Sequence, residues 1–268
     1  MYKGARAAAA QGRVVSFAQP PEGFLAGEPV RAVLFDLDGT LLDTVADITL
    51  ALNRALAEQH SAPLGLEYVR NLIGRGAPVL VQRVVARLSS RPWPVDPVLL
   101  LQRFYFHYDR LHELQEHEAR MYPGVAEGFA QLHAQGLRLG VVTNKPRHTA
   151  TALLVQLNLS PWVEVVVGGD TAEQRKPHPQ PLLHACAALQ VLPAQTLMVG
   201  DSAIDVAAAR AAGMRVVCVP YGYNEGADPR TLACDAFIDT LADLPALLRA
   251  ARAPRDGGIW DARMHGGQ

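Results

Sequence analysis

Two aspartates stand two positions apart in Asp36-Leu37-Asp38-Gly39-Thr40, directly after the apolar run Ala32-Val33-Leu34-Phe35. Farther along, apolar runs end in Thr143-Asn144-Lys145 and in Gly200-Asp201-Ser202, with Asp205 one helical turn after the latter. Lys176 lies in Gln174-Arg175-Lys176-Pro177, a short loop beyond another such run. Carboxylates at Asp36, Asp38, Asp201 and Asp205 offer oxygen donors that suit a hard cation such as Mg²⁺, and Mn²⁺ accepts the same ligands. The Thr143 hydroxyl and the Lys145 and Lys176 ammonium groups suit the oxygens of an anion. An acid after a strand often does no more than cap the next helix. That explains one acid well, two acids before Gly-Thr poorly, and the complete set hardly at all. Lysine usage points the same way. The chain has 22 arginines and three lysines (Lys3, Lys145, Lys176), and two of the three fall in these segments. A compact ammonium fits a crowded anion pocket where a planar guanidinium does not.

The elements that must carry these residues follow from the hydrophobic pattern. Residues 32–35 read as a buried strand ending in an acid. Residues 45–60 then show helical spacing (Ile48, Leu52, Leu56), as do 76–88 and 96–118, with loops at 74–76 and 91–94. The span 45–120 therefore reads as all-helical. After Tyr122-Pro123-Gly124 the pattern alternates. Strands are expected at 137–142, 163–167, 196–200 and 214–219, and helices at 125–135, 147–157, 179–190 and 203–212. Apolar strands alternating with amphipathic helices imply right-handed βαβ units and a parallel sheet covered on both faces. Ligands of such sheets bind at the carboxyl ends of the strands, where all of the residues above fall.

Composition sets the limits. The 268 residues are 49% hydrophobic and 19% charged, with a formal net charge of −1. That length buries a full core without a disulfide or metal staple. The balanced charge argues against a nucleic-acid partner. No apolar run approaches the ~18 residues that span a bilayer, so no membrane partner is expected. Cys186, Cys218 and Cys234 are too few and scattered for a disulfide framework or a zinc site, and read as reduced core thiols of a cytoplasmic protein. Residues 1–29 read as a polar, flexible N-terminal extension, and 252–268 as a frayed C-terminal tail.

The ordered set Asp36-Leu37-Asp38-Gly39-Thr40, Thr143, Lys176, and Gly200-Asp201 with Asp205 resembles the four motifs of the haloacid dehalogenase-like superfamily of phosphotransferases. The resemblance spans about residues 31–250. It implies an α/β fold: a Rossmann-like parallel sheet core with helices on both faces (30–44 and 121–251), and a small all-helical cap inserted after the first strand (45–120). It implies that Asp36 attacks phosphorus and becomes an aspartyl-phosphate. Asp38 would protonate the leaving alkoxide and then deprotonate the attacking water. Thr143 and Lys176 would bind the phosphoryl oxygens. Asp36, Asp201 and the Asp38 backbone carbonyl would hold the cation, and Asp205 would orient Lys176 or a metal-bound water.

Within the superfamily, an acid at position 38 separates the chain from the dehalogenases themselves. A phosphonatase needs a cap lysine, and residues 45–120 contain none. Four segments resemble the bacterial phosphoglycolate phosphatases: Leu72-Ile73-Gly74-Arg75-Gly76-Ala77, Thr143-Asn144-Lys145-Pro146, Gly168-Gly169-Asp170-Thr171 and Tyr221-Gly222-Tyr223-Asn224. The expected reaction is hydrolysis of a small phosphate monoester, 2-phosphoglycolate, by a monomer or homodimer. Alternatives are a phosphatase of N-acetylmuramic acid 6-phosphate, pyrophosphate or a nucleotide, then a sugar phosphomutase, then a non-catalytic binding protein of the same fold. Phosphoglycolate carries a second anion, and Arg75 in its glycine-flanked loop is the expected partner of that carboxylate, with Asn144 and Lys145 also facing substrate.

Some residues are expected to carry no chemistry. His107, His112 and His117 recur every five residues, which on one helix rotates each about 140° from the last and gives no common metal face. Phe104, Tyr105, Phe106 and Tyr108 read as cap packing. Glu113, Glu116 and Glu118 read as a solvated helix face.

Overall fold

The computed structural model describes residues 28–89 and 94–252. Nearly all of the expected N-terminal extension, and the tail beyond 252, lie outside the described residues. In chain order the elements are β1 (Ala32–Phe35), β2 (Leu42–Asp43), α1 (Val45–Glu58), α2 (Leu66–Arg70), α3 (Ala77–Leu88), α4 (Pro97–Glu113), β3 (Arg120–Met121), α5 (Val125–Ala134), β4 (Arg138–Val142), α6 (Arg147–Gln156), β5 (Val165–Val167), α7 (Gln180–Ala188), β6 (Thr196–Gly200), α8 (Ala203–Ala211), β7 (Arg215–Cys218), β8 (Ala236–Phe237) and α9 (Leu244–Arg252). A six-stranded sheet runs β5-β4-β1-β6-β7-β8. Every pairing in it is parallel, and Phe35 of β1 lies between Val141 and Val199. β1 is central and fully buried, which is why it reads as an unbroken apolar run.

Its side chains alternate between two cores. Val33 and Phe35 join Phe129, Leu132 and Leu139 on one face, while Ala32 and Leu34 join Leu182, Met198 and Val216 on the other. The Phe35 and Phe129 ring centroids lie 4.7 Å apart. The helical cap has a core of its own, in which Ile48, Leu52 and Leu56 of α1 meet Leu100, Phe104 and Leu111 of α4. The chain crosses between core and cap twice, and the two crossings pair as an antiparallel ribbon, Leu42 opposite Met121 and Asp43 opposite Arg120. Asp47 fastens this junction. It is 1% exposed and its carboxylate accepts Glu118 N at 2.6 Å and Ala119 N at 3.2 Å.

The structure adds elements that the pattern did not show: the β2–β3 ribbon, the short α2, the edge strand β8 and α9. Two-residue strands are too short to display a period. α4 also stops earlier than the expected 118. The chain leaves the helix at Leu114 and turns at Gln115, whose φ is 56°. Glu116 and Glu118 are therefore not on a helix face. His117 is not on the helix either, and its ring comes back against His112 with centroids 4.9 Å apart. The five-residue spacing argument thus fails for this pair. His107 sits elsewhere, 2.8 Å from Glu58. Among the described residues no helix is long and apolar enough to cross a membrane. The three cysteines are free, Cys186 and Cys218 being buried.

Replacing Phe129 by Ala removes the ring packed on Phe35 and is expected to cost about 3–5 kcal/mol. Urea unfolding checks this as a lower midpoint at unchanged slope. A loss below about 1 kcal/mol would show that this face is not the tightly packed support of β1.

Candidate active site

β1 ends at Phe35, so Asp36 emerges at the carboxyl edge of the central strand. Its backbone N still bonds Val199 O at 2.9 Å, and its Oδ1 accepts Leu37 N at 2.7 Å. The chain then turns through Gly39, whose φ of +88° and contact with Asp201 leave no room for a side chain: a Cβ there would lie 2.3 Å from Asp201 Oδ2. From β4 come Thr143 and Asn144, both buried, and Lys145. From β6 comes Asp201, and α8 carries Asp205 in its first turn.

These side chains interlock. Lys176, 1% exposed at its side chain, places its Nζ 2.8 Å from Asp36 Oδ1 and 2.7 Å from Asp205 Oδ1. Asp205 Oδ2 accepts Ser202 Oγ at 2.7 Å and Ser202 N at 3.2 Å. Asp201 accepts Thr40 Oγ1 at 3.0 Å and Tyr223 N at 2.7 Å. Carboxylate oxygens of Asp36, Asp201 and Asp205 all lie within 4.8 Å of one another. Asp38 points away from this cluster. Its Oδ1 accepts Thr44 Oγ1 at 2.6 Å and its Oδ2 lies 3.1 Å from Lys145 Nζ.

Three buried carboxylates around one ammonium leave excess negative charge. Burial pushes Asp36 up to about 7, offset in part by Lys176 and reinforced by Asp205. Burial, with Asp205 and Asp36 beside it, pushes Asp201 up to about 8. For Lys176 burial acts downward, but Asp205 and Asp36 outweigh it and hold the ammonium above its ordinary range. Two acids that resist ionising within reach of each other's oxygens fit a hard divalent cation. Asp36 and Asp201, the two acids with raised proton affinity, would hold it, while Asp205 is engaged with Lys176 and Ser202. The Asp38 carboxylate lies outside this cluster. Asp205 bonds Lys176 directly, at 2.7 Å.

Above the cluster a cleft of about 600 Å³ separates core and cap. Asp36, Asp38, Thr143 and Lys145 line its core side, and Ile73, Leu80, Phe104 and Tyr108 its cap side. Arg75 does not line it. Its guanidinium is held by Glu225, with Nε 3.0 Å from Oε1 and Nη2 3.0 Å from Oε2, and Arg83 bonds the same carboxylate. The expectation that Arg75 meets a substrate carboxylate is corrected accordingly: a charge partner 150 residues away in sequence claims it first. Asn144 lines the cleft; its Nδ2 donates to Gly74 O and Lys176 O, both at 3.0 Å, and its Oδ1 is buried without a partner.

Sequence reasoning assigned no role to Tyr223, Ser202 or Tyr108. Tyr223 holds Asp201 by its backbone N, while its hydroxyl donates to Asp43 and accepts from Thr44 N, both at 2.8 Å. The preceding Gly222 is required, since a Cβ there would lie 2.2 Å from Asp201 Cβ. Ser202-x-x-Asp205 is a capping box, a signal readable in the sequence. Tyr108 faces Lys145, whose Nζ lies 4.6 Å from the ring centroid.

Comparison with known proteins agrees with this geometry. Residues 33–219 match the family model of the haloacid dehalogenase-like hydrolases. The phosphoglycolate phosphatase of Cupriavidus necator is 48% identical over 226 residues, covering 84% of this chain and 95% of that protein. That of Nitrosospira multiformis is 44% identical over 82% of this chain and 96% of its own length. A predicted phosphoglycolate phosphatase from Haemophilus somnus superposes with a TM-score of 0.77 at 32% identity, covering 81% and 97% of the two chains. CbbY from Rhodobacter sphaeroides, solved with phosphate, gives 0.70 at 26% identity over 82% and 99%. With motif residues gathered at one sheet edge under a helical cap, and a family match over most of its length, the chain belongs to the haloacid dehalogenase-like hydrolases.

Proposed function

We propose that the protein hydrolyses a small phosphate monoester, 2-phosphoglycolate, through an aspartyl-phosphate on Asp36, with Mg²⁺ as its cofactor. One observation carries the reading. A buried carboxylate that lines the cleft, Asp36, meets a buried ammonium bonded to it and two further carboxylates at the sheet edge, while a second acid two residues on is held apart from them. The substrate rests on the relatives at 48% and 44% identity that are named phosphoglycolate phosphatases.

The residues divide the work by position. Lys176 and the Thr143 hydroxyl take the phosphoryl oxygens and bring phosphorus to the Asp36 carboxylate. Asp36 and Asp201 would hold the cation, which would supply charge neutralisation for attack on the phosphate dianion. Asp38, placed by Thr44 and Lys145, acts in its protonated form and gives that proton to the departing glycolate oxygen. It then takes a proton from the water that attacks the aspartyl-phosphate, which returns Asp36 and releases phosphate. Among the described residues that line the cleft, Lys145 is the cation. It takes over the role expected of Arg75 and faces the substrate carboxylate.

Asp36→Asn is expected to abolish turnover, and Asp38→Asn to lower kcat by about 10²–10⁴-fold. Phosphate release measured on both variants checks the assignment, and full activity in Asp36→Asn would overturn it. Lys145→Met is expected to raise KM for 2-phosphoglycolate about tenfold more than for p-nitrophenyl phosphate, a difference of about 1.4 kcal/mol. Equal rises would remove the carboxylate contact. Across a panel of phosphate esters with Mg²⁺, kcat/KM is expected to favour 2-phosphoglycolate by about 100-fold, or 2.7 kcal/mol. A flat profile would retain the chemistry and discard the substrate.

The metal-free protein has its own pH signature. Asp36 and Asp201 bind protons more tightly folded than unfolded, so their ionisation opposes folding. Stability is therefore expected to fall as pH rises from about 4 toward 8. The gain in Tm on adding Mg²⁺ should be larger at the upper end of that range, because the ion replaces the protons. A gain independent of pH would mean that the ion binds elsewhere.

A further inference from the structure

We infer that Asp47, His112 and His117 form a second metal site, for a borderline transition cation of the Zn²⁺ class, at the junction of cap and core. Their ligand atoms lie within 4.8 Å of one another, with His112 Nε2 3.9 Å from Asp47 Oδ2.

The hydrogen bonds fix which atoms face inward. Gln156 of α6 donates its Nε2 to the His112 backbone O at 3.2 Å, so its Oε1 is the atom facing His112 Nδ1, also at 3.2 Å. His112 Nδ1 must then carry the proton, and Nε2 is left with a lone pair. That Nε2 is buried without a hydrogen-bond partner on a side chain only 7% exposed, and it looks toward a carboxylate. His117 Nδ1 is likewise buried and without a partner. Two imidazole nitrogens thus lack a partner, and beside them lies Asp47, whose Oδ2 accepts only Ala119 N, at 3.2 Å. Buried polar atoms left unsatisfied are costly, and a cation satisfies both nitrogens together with the carboxylate as its third ligand.

The donor set selects the ion. Two imidazoles and one carboxylate suit Zn²⁺, Co²⁺ or Ni²⁺, whereas the all-oxygen cluster at Asp36 and Asp201 suits Mg²⁺. Gln156 plays the part of the outer partner that orients a ligating imidazole and fixes its tautomer. The two rings lie 25° from parallel, so His117, half-buried in the segment after α4, must turn about its Cβ–Cγ bond to bring its lone pair onto the ion. Three protein ligands leave a fourth position for water. An ion here ties together α1, α4 and the returning crossing, and through Gln156 reaches α6 of the core.

The test is a Zn²⁺ titration of the full chain by calorimetry, with Mg²⁺ saturating, and a parallel Co²⁺ titration followed by visible absorption. The expected result is one Zn²⁺ per chain, with a Co²⁺ spectrum of nitrogen-ligated, low-coordinate type. Asp201→Asn, which breaks the carboxylate cluster, should keep this binding. His117→Ala should weaken it by about tenfold or more while its Mg²⁺-dependent phosphatase activity, showing an intact fold, is unchanged. Absence of Zn²⁺ binding under saturating Mg²⁺ overturns the inference. So does binding that Asp201→Asn abolishes and His117→Ala leaves unchanged, since the ion would then sit among the carboxylates.

Discussion

Everything at the sheet edge is organised around negative charge that has been taken out of water. Asp36, Asp201 and Asp205 are buried beside one another, and one ammonium, that of Lys176, bonds two of them. Isolated charges in such surroundings would neutralise themselves, and the raised proton affinities of Asp36 and Asp201 record that tendency. What prevents collapse of the arrangement is rigid support. Asp36 hangs from a central strand paired on both sides, and Asp201 is held by Thr40 and Tyr223. Asp205 is held by Ser202. That frame holds the cluster together against its own excess charge.

The second acid is useful because it is excluded from that frame. Asp38 leaves the same strand end but points away from the cluster, where Thr44 at the cap crossing and Lys145 of the core take its oxygens. Two carboxylates two residues apart thereby acquire different duties, one among acids and one beside a base. Extended backbone would send residues i and i+2 to the same side; the turn that begins at Leu37 and passes through Gly39 is what parts the two carboxylates.

The sheet, its central strand and the motif residues were legible in the sequence because each depends on local pattern: an apolar run, then a polar residue at its end. Lys176 was legible by its rarity in an arginine-rich chain. What stayed hidden depended on distant partners. Nothing near Arg75 announces Glu225, yet that carboxylate removes it from the cleft. Nothing in the histidine spacing shows that α4 ends before His117, since a left-handed residue at Gln115 carries no strong signature in a single sequence. In the sequence Tyr223 carries only a family likeness. Its work, joining the Asp201 end of the site to the cap crossing at Asp43 and Thr44, appears once the loop is folded over.

The β2–β3 ribbon has a bearing on how the chain finds this fold. β1 and β4 are neighbours in the sheet but are separated in sequence by about a hundred residues, and closing a loop of that length costs entropy that grows with its logarithm. The cap residues have a hydrophobic core of their own, and both ends of the insertion meet at Leu42 and Met121. A cap that condenses early, with its ends clasped at the ribbon, shortens the effective separation of β1 and β4 to that of an ordinary βαβ unit. The inserted segment then acts on the folding route as a knot tied in a string, bringing together the strands that will later carry Asp36 and Thr143.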